Sequence, residues 1–266
     1  MPLLEVKNVR KSFGGMVAVN EVSFDVKQGQ IKALIGPNGA GKTTLFNIIS
    51  GLLPTETGQV LFKNKRTTGL KPFQIARAGI SRTFQTPSLF LQMNVLENVM
   101  VGHHCRTSRE FLSCCLRSPG QRREERAIGL AAIGQLDYVG LGALANASAG
   151  SLAFGQRRMV ELARSLATQP ELLLLDEPAS GLNTRETDDL AKMILKIRDR
   201  GITVLLVEHD MSLVMDVSDE VLVLHNGRTI CQGPPQQVQN DPNVISVYLG
   251  VGLEDVTPGK KSKVRL

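Results

Sequence analysis

Residues 31–50 read IKALIGPNGAGKTTLFNIIS. An apolar run of strand length enters GPNGAGKTT, and TTLFNIIS continues as a helix. This is the pattern G-x-x-x-x-G-K-[ST] in the strand–loop–helix setting it requires. The glycines let successive backbone N–H groups turn inward as an anion nest. The helix N-terminus adds its partial positive charge. Gly36, Pro37, Asn38, Gly39, Ala40, Gly41, Lys42, Thr43 and Thr44 are therefore candidate phosphate-binding residues. Lys42 is placed to reach β- and γ-phosphates, and the Thr43 hydroxyl to ligate Mg2+.

Such a loop needs a rigid sheet behind it, and the chain supplies one. IKALIG, ELLLLD and ITVLLVE are nearly continuous apolar runs, the mark of parallel strands buried on both faces. Helices follow them, so the fold class is α/β. ETDDLAKMILKIR at 186–198 places Leu190, Met193, Ile194 and Ile197 at helical spacing, as core-facing residues. LLEVKNV, VSFDV and QVLF alternate more and predict a small antiparallel sheet. EVLVLHNGRTI is a further β-type run. Residues 87–167 change to helical patterns, with a charged-start helix over 120–138. This divides the chain into a nucleotide-binding unit at 1–240, with a helical subdomain near 87–167, and a C-terminal helix and basic tail at 241–266.

Two further strand ends carry chemistry. ELLLLDEP delivers Asp176 to the C-terminal end of a buried strand, where it can hold Mg2+ through water. Its neighbour Glu177 can serve as general base on an attacking water. LLVEHD repeats the design and presents His209, placed to touch a γ-phosphate.

The remaining composition mostly excludes. None of the apolar runs in the 266 residues approaches the ~20 that a membrane span needs. The start MPLLEVKNVRKSF has no signal-peptide core, so a cytoplasmic chain is expected. Cys105, Cys114, Cys115 and Cys231 form no C-x-x-C pair, and reduced thiols are the expectation. His103 and His104 beside Cys105 fit a loop or helix end better than a metal site. The net charge is +6, with basic residues clustered at Arg117, Arg122, Arg123 and Arg126 and in GKKSKVRL. A solvated face and an anionic partner both fit this charge. With no Trp and only two Tyr, nothing points to nucleic acid.

SLAFGQRRMVELARSL, from Ser151, is a loop entering a helix with two early basic residues. In this company it matters. The phosphate loop, Asp176–Glu177, His209, LAFGQ, ASGLN and SRTFQ, in their order here, resemble the ATP-binding subunits of ABC transporters over residues 3–235. In that family LAFGQ (Leu152, Ala153, Phe154, Gly155 and Gln156) corresponds to the signature LSGGQ, and ASGLN, ending at Asn183, to the D-loop. Gln85 corresponds to the Q-loop glutamine, a Mg2+ sensor, and Phe13 to the aromatic that stacks on adenine. FGGMVAVNEVSF, RTFQ, LAFGQRR, DEPASGLN, EHDM and DPNVISVYLG are similar to the LivG-type ATPases of bacterial branched-chain amino-acid importers, whose usual signature is LAYGQ.

The resemblance implies a P-loop fold with a RecA-like parallel core, a small antiparallel subdomain and an inserted helical subdomain. It implies ATP and Mg2+ as ligands, and a head-to-tail dimer with a second ABC ATPase, the same or different. Each ATP would then lie between one chain's phosphate loop and the other's signature. Two membrane permeases and, indirectly, a periplasmic solute-binding protein complete the complex at the cytoplasmic face of the inner membrane. Importers of urea, amides or other amino acids, and the lipopolysaccharide-export ATPase, share much of the pattern. The stretch TPSLFLQMNVLENV after Gln85 would carry closure to the permease. Leu89 and Phe90 are its candidate apolar contacts, unless both are buried. Ala153 offers no hydroxyl, so the backbone N–H groups of Phe154, Gly155 and Gln156 must supply the grip on the partner's phosphate. Phe154 is expected at the rim of that interface. A DNA-repair relative would carry a long coiled-coil insertion and a translation-factor relative two ATPase domains. The chain has neither, and Glu177 argues against a pure ATP-binding regulator.

Overall fold

The computed structural model describes residues 1–86, 88–103 and 119–249. β1 (Pro2–Phe13) and β2 (Met16–Lys27) form an antiparallel hairpin about Gly14 and Gly15. β1 also pairs with β4 (Thr57–Phe62), which carries the two-residue β5 (Lys65–Arg66). This is the small antiparallel sheet the alternating pattern predicts. Val6, Val22, Phe24, Val26 and Val60 face inward from it.

A six-stranded sheet runs in the order β10-β9-β3-β8-β7-β6. β3 (Ile31–Ile35), β7 (Leu172–Asp176) and β8 (Thr203–Val207) lie at or beside its centre, and every residue in them is buried. That is why their sequences are apolar without alternation. Lys32 is the exception inside β3. It is fully buried, its Nζ lies 3.0 Å from Glu220 Oε2, and it also donates to the Asp25 carbonyl. β6 (Ile80–Arg82) adds a parallel edge strand that the sequence pattern does not predict. EVLVLHNGRTI resolves into two strands, β9 (Glu220–His225) and β10 (Arg228–Gly233). Asn226 and Gly227, at φ 48° and 75°, supply the left-handed turn that a two-residue hairpin needs.

Helices cover both faces. On one, α1 (Lys42–Ile49) packs Leu45, Phe46 and Ile49 between the parallel sheet and the hairpin sheet. Phe46 is fully buried, and truncating it to alanine would cost about 3–5 kcal/mol. α2 (Pro72–Ala78) leads into β6. On the other face lie α3 (Val95–His103), α4 (Pro119–Tyr138), α5 (Phe154–Ala167) and α6 (Thr184–Asp199). Val95, Val99, Leu136, Val160 and Ala163 share one core with Leu173, Leu175 and Leu206. Leu190, Met193, Ile194 and Ile197 of α6 join that core, as their spacing predicts. α7 (Met211–Val217) links β8 to β9, and α8 (Pro235–Gln239) and α9 (Pro242–Leu249) follow β10.

Among the described residues no helix is long and apolar enough to cross a membrane. Pro87, His104, Cys105, Cys114, Cys115, Arg117, the side chains of Arg122 and Arg123, and the basic tail lie outside the described residues.

Candidate nucleotide site

The loop between β3 and α1 is shaped by its glycines. Gly36, Gly39 and Gly41 stand at φ 147°, 82° and 102°, where side chains are strained. A Cβ on Gly36 would strike the Leu224 carbonyl, and one on Gly41 the Ala18 carbonyl. Lys42 is buried in the loop's centre, and its ammonium donates to the carbonyls of Gly36 (2.7 Å) and Pro37 (3.0 Å). The loop thus closes on the Lys42 ammonium. Burial pushes the Lys42 pKa down from its ordinary value, while the charges of Glu177 and Asp176 oppose that shift. The first N–H groups of α1, including Thr43 and Thr44, have no helical acceptor and remain free for an anion. Phe13, Met16, Lys42, Thr43, Glu177 and His209 are among the residues lining the cleft in front of the loop.

β7 ends at Asp176, and the next residue, Glu177, reaches the same cleft. Asp176 is buried and paired with Arg82 at 2.8 Å. Arg82 also donates to Asn47 Oδ1 (2.7 Å) and Ser50 Oγ (2.8 Å), tying β6 to α1. Glu177 leaves the sheet at φ 46°. That left-handed conformation costs a residue with a Cβ roughly 1 to about 2 kcal/mol. The turn swings its carboxylate between two partners. His209 Nε2 lies 2.8 Å from Oε1, and Gln85 Nε2 donates to Oε2 at 2.7 Å. The chain therefore brings Gln85, Glu177 and His209 into one cluster beside Lys42 and Thr43. Buried Glu208 is its support. It accepts N–H bonds from Ala179 (2.7 Å), His209 (2.9 Å) and Asp210 (3.3 Å). Burial raises the Glu208 pKa, although those three N–H groups pull the other way.

The signature stretch lies apart from that cleft. Ala153 is the N-cap of α5, with extended backbone and no side-chain cap, and its own N–H donates to Gln156 Oε1 at 3.1 Å. A Cβ on Gly155 would stand 2.5 Å from Glu186 Oε1, so the Glu186 carboxylate would have to shift. The half-exposed Phe154 ring rests on Gly181 of its own chain, where an added Cβ would be 2.9 Å from the ring, and Arg158 lies over it at 5.7 Å. Asn183 caps α6, exchanging bonds with Glu186 at 3.0 Å in both directions. Of the two candidate docking residues, Phe90 is exposed beside Leu91, whereas Leu89 is partly buried against the helical core, so neither full exposure nor full burial holds for both.

Sequence reasoning assigns no role to Arg82, Arg158, Glu161 or Glu208. Arg158 and Glu161 give one signal, opposite charges at i, i+3 spacing in RRMVELARSL, a segment with an apolar stripe. Thr43, Asp176 and Gln85 offer hydroxyl, carboxylate and amide oxygens, a donor set that suits a hard, partly hydrated Mg2+. Among the described residues no group of three or more His, Cys, Asp or Glu is arranged to hold a metal without such help.

A phosphate loop on a parallel sheet, an acidic strand end and an inserted helical layer define a P-loop ATP-binding cassette. Residues 19–180 match the family model described as ABC transporter, and the chain belongs to that family. Residues 228–254 match a second model, described as Branched-chain amino acid ATP-binding cassette transporter. The chain is 44% identical over 250 residues to the high-affinity branched-chain amino acid transport ATP-binding protein BraF of Pseudomonas aeruginosa, covering 94% of this chain and 98% of that protein. It is 43% identical, with the same coverage, to the corresponding protein LivG of Escherichia coli K12. A crystal structure of the ADP conformation of an ATP-binding cassette of an ABC transporter matches with TM-score 0.83 at 35% identity, covering 94% of this chain and 99% of that one.

Proposed function

We propose that the chain hydrolyses ATP to drive an importer of branched-chain amino acids. The observation that carries the ATPase reading is the Glu177 carboxylate, held by Gln85 and His209 at the mouth of the phosphate loop. The solute rests on the relatives' printed names. In this reading Phe13 stacks on the base, Lys42 and the N–H groups of residues 39–44 hold the phosphates, and Glu177 orients and deprotonates the attacking water. His209 meets the γ-phosphate. Thr43, Asp176 and Gln85 would hold Mg2+, which neutralises charge on the phosphates when bound.

Residues 152–156 do not line this chain's phosphate cleft. Their free N–H groups at the start of α5 suit the nucleotide of a second ABC ATPase, whose signature would in turn complete this chain's site. The pair would work with two membrane permeases, supplied by a periplasmic binding protein, at the cytoplasmic face of the inner membrane. The test is ATP hydrolysis and labelled-leucine uptake in proteoliposomes containing the chain, the second ATPase and the permeases. Activity that rises with the binding protein loaded with leucine is the expected result. Full hydrolysis by the isolated chain, indifferent to solute, would refute the importer reading.

A further inference from the structure

After Thr83, whose N–H still bonds the Leu174 carbonyl (3.0 Å), the chain leaves the sheet. The next backbone groups bond to side chains of α5. Glu161 Oε1 accepts the Phe84 N–H at 3.0 Å. Arg158 donates through Nη1 to the Phe84 carbonyl and through Nη2 to the Gln85 carbonyl, both at 2.7 Å. The same Nη2 lies 3.5 Å from the Glu177 carbonyl, and Nη1 lies 3.3 Å from Glu161 Oε2. Arg158 and Glu161 are 2% and 1% exposed. Burying opposite charges is seldom a net gain over an apolar pair of similar volume. Arg158 Nε, moreover, is buried without a partner among the described residues. The arrangement is poorly suited to stability alone, but well suited to fixing where three carbonyls lie.

We infer that Arg158 and Glu161 form a charged clamp that positions Gln85 against Glu177 and makes that placement follow the signature helix. The inference rests on the proposed ATPase reading. α5 begins at the signature, so one rigid helix carries both the groups that would meet the partner's nucleotide and the groups that hold the backbone of residues 84 and 85. A shift of α5 on engagement is therefore passed first to Gln85, through the two 2.7 Å bonds, and so to its 2.7 Å side-chain contact with Glu177. A positioning role of this kind acts on turnover and leaves binding at the chain's own phosphate loop untouched, because no atom of the clamp lines that cleft.

The experiment uses the full chain with Arg158→Lys, which keeps the charge but cannot fork two carbonyls. A second variant, Arg158→Gln with Glu161→Gln, removes both charges and leaves none unpaired. Three quantities are measured: ADP affinity by titration, hydrogen exchange of the peptide holding Phe84 and Gln85, and kcat and KM for ATP in the assembled transporter. In both variants ADP affinity should stay within about twofold, and exchange at Phe84 should rise roughly tenfold or more. The kcat should fall roughly 10- to 100-fold at nearly constant KM. A lower Tm with wild-type exchange and kcat would reduce the pair to a structural role and overturn the clamp, as would parallel loss of ADP binding and turnover. A wild-type complex that binds ADP but hydrolyses no ATP would refute the proposed function, while the exchange readout judges the clamp separately.

Discussion

The guanidinium of Arg82 stands 2.8 Å from the carboxylate of Asp176, and both side chains are almost wholly buried. Arg82 is the charge that makes a buried Asp176 tolerable. Arg82→Met should cost about 3–5 kcal/mol, since it leaves an uncompensated buried carboxylate. If Asp176 faces the metal site, millimolar MgCl2 should recover part of that loss in the variant and much less in the wild type. Thermal unfolding with EDTA or MgCl2 measures both effects. A variant as stable as the wild type in EDTA would show that the ion pair contributes little.

Glu177 is held by two neighbours and lies in a left-handed turn, so its carboxylate has little freedom. Glu177→Gln preserves shape but cannot accept a proton. It should keep ATP affinity and lower turnover by roughly 10²-fold or more. The same variant should accumulate as an ATP-bound dimer with its partner, visible by size-exclusion chromatography. Near-normal hydrolysis would remove Glu177 from the role of base.

What was legible in the sequence was local. The phosphate loop announces itself within nine residues, because the positive φ angles of Gly36, Gly39 and Gly41 demand glycine within one short stretch. β3, β7 and β8 were legible because burial on both faces erases alternation. α6 was legible from the stripe of Leu190, Met193, Ile194 and Ile197. The supports of the site were not, since each is made by partners remote in sequence. Arg82 reaches Asp176 across 94 residues, Arg158 reaches Phe84 across 74, and Glu208 reaches Ala179 across 29. β6 has only three residues, too few to show a period, and its place is set by pairing with β7.

Glu208 ties the turn after Glu177 to the strand end that presents His209. Burial raises its pKa in the folded chain. For a carboxyl group with a raised folded pKa, the native state retains a proton that the unfolded chain releases. Stability from this group is therefore complete below the unfolded value, about 4.3, and declines as pH rises through the folded value. Glu208→Gln removes that titration. The stability of the variant relative to wild type should therefore increase with pH above the ordinary carboxylate range. Urea denaturation across that range is the measurement. A difference that stays constant with pH would mean that Glu208 does not hold its proton.

Ala153 occupies an N-cap with φ -61° and ψ 158°. That backbone already suits a serine, whose hydroxyl would bond the free N–H groups of α5. Only the Gln156 half of a reciprocal cap is present, through the Ala153 N–H. Ala153→Ser should therefore raise stability by about 1 kcal/mol and leave transport intact. Gly155 is different. Any side chain there presses on Glu186, which is itself pinned by the Asn183 N–H. Gly155→Asp adds a second carboxylate beside the first and, in the proposed dimer, aims it at the partner's phosphate. Turnover of the assembled transporter should vanish, whereas ATP affinity of the isolated chain should hold within about twofold, because its own phosphate loop is elsewhere. Comparing the two readouts separates a failed interface from a failed fold. An active Gly155→Asp complex, or an inactive Ala153→Ser one, would show that the start of α5 does not grip a nucleotide through its backbone.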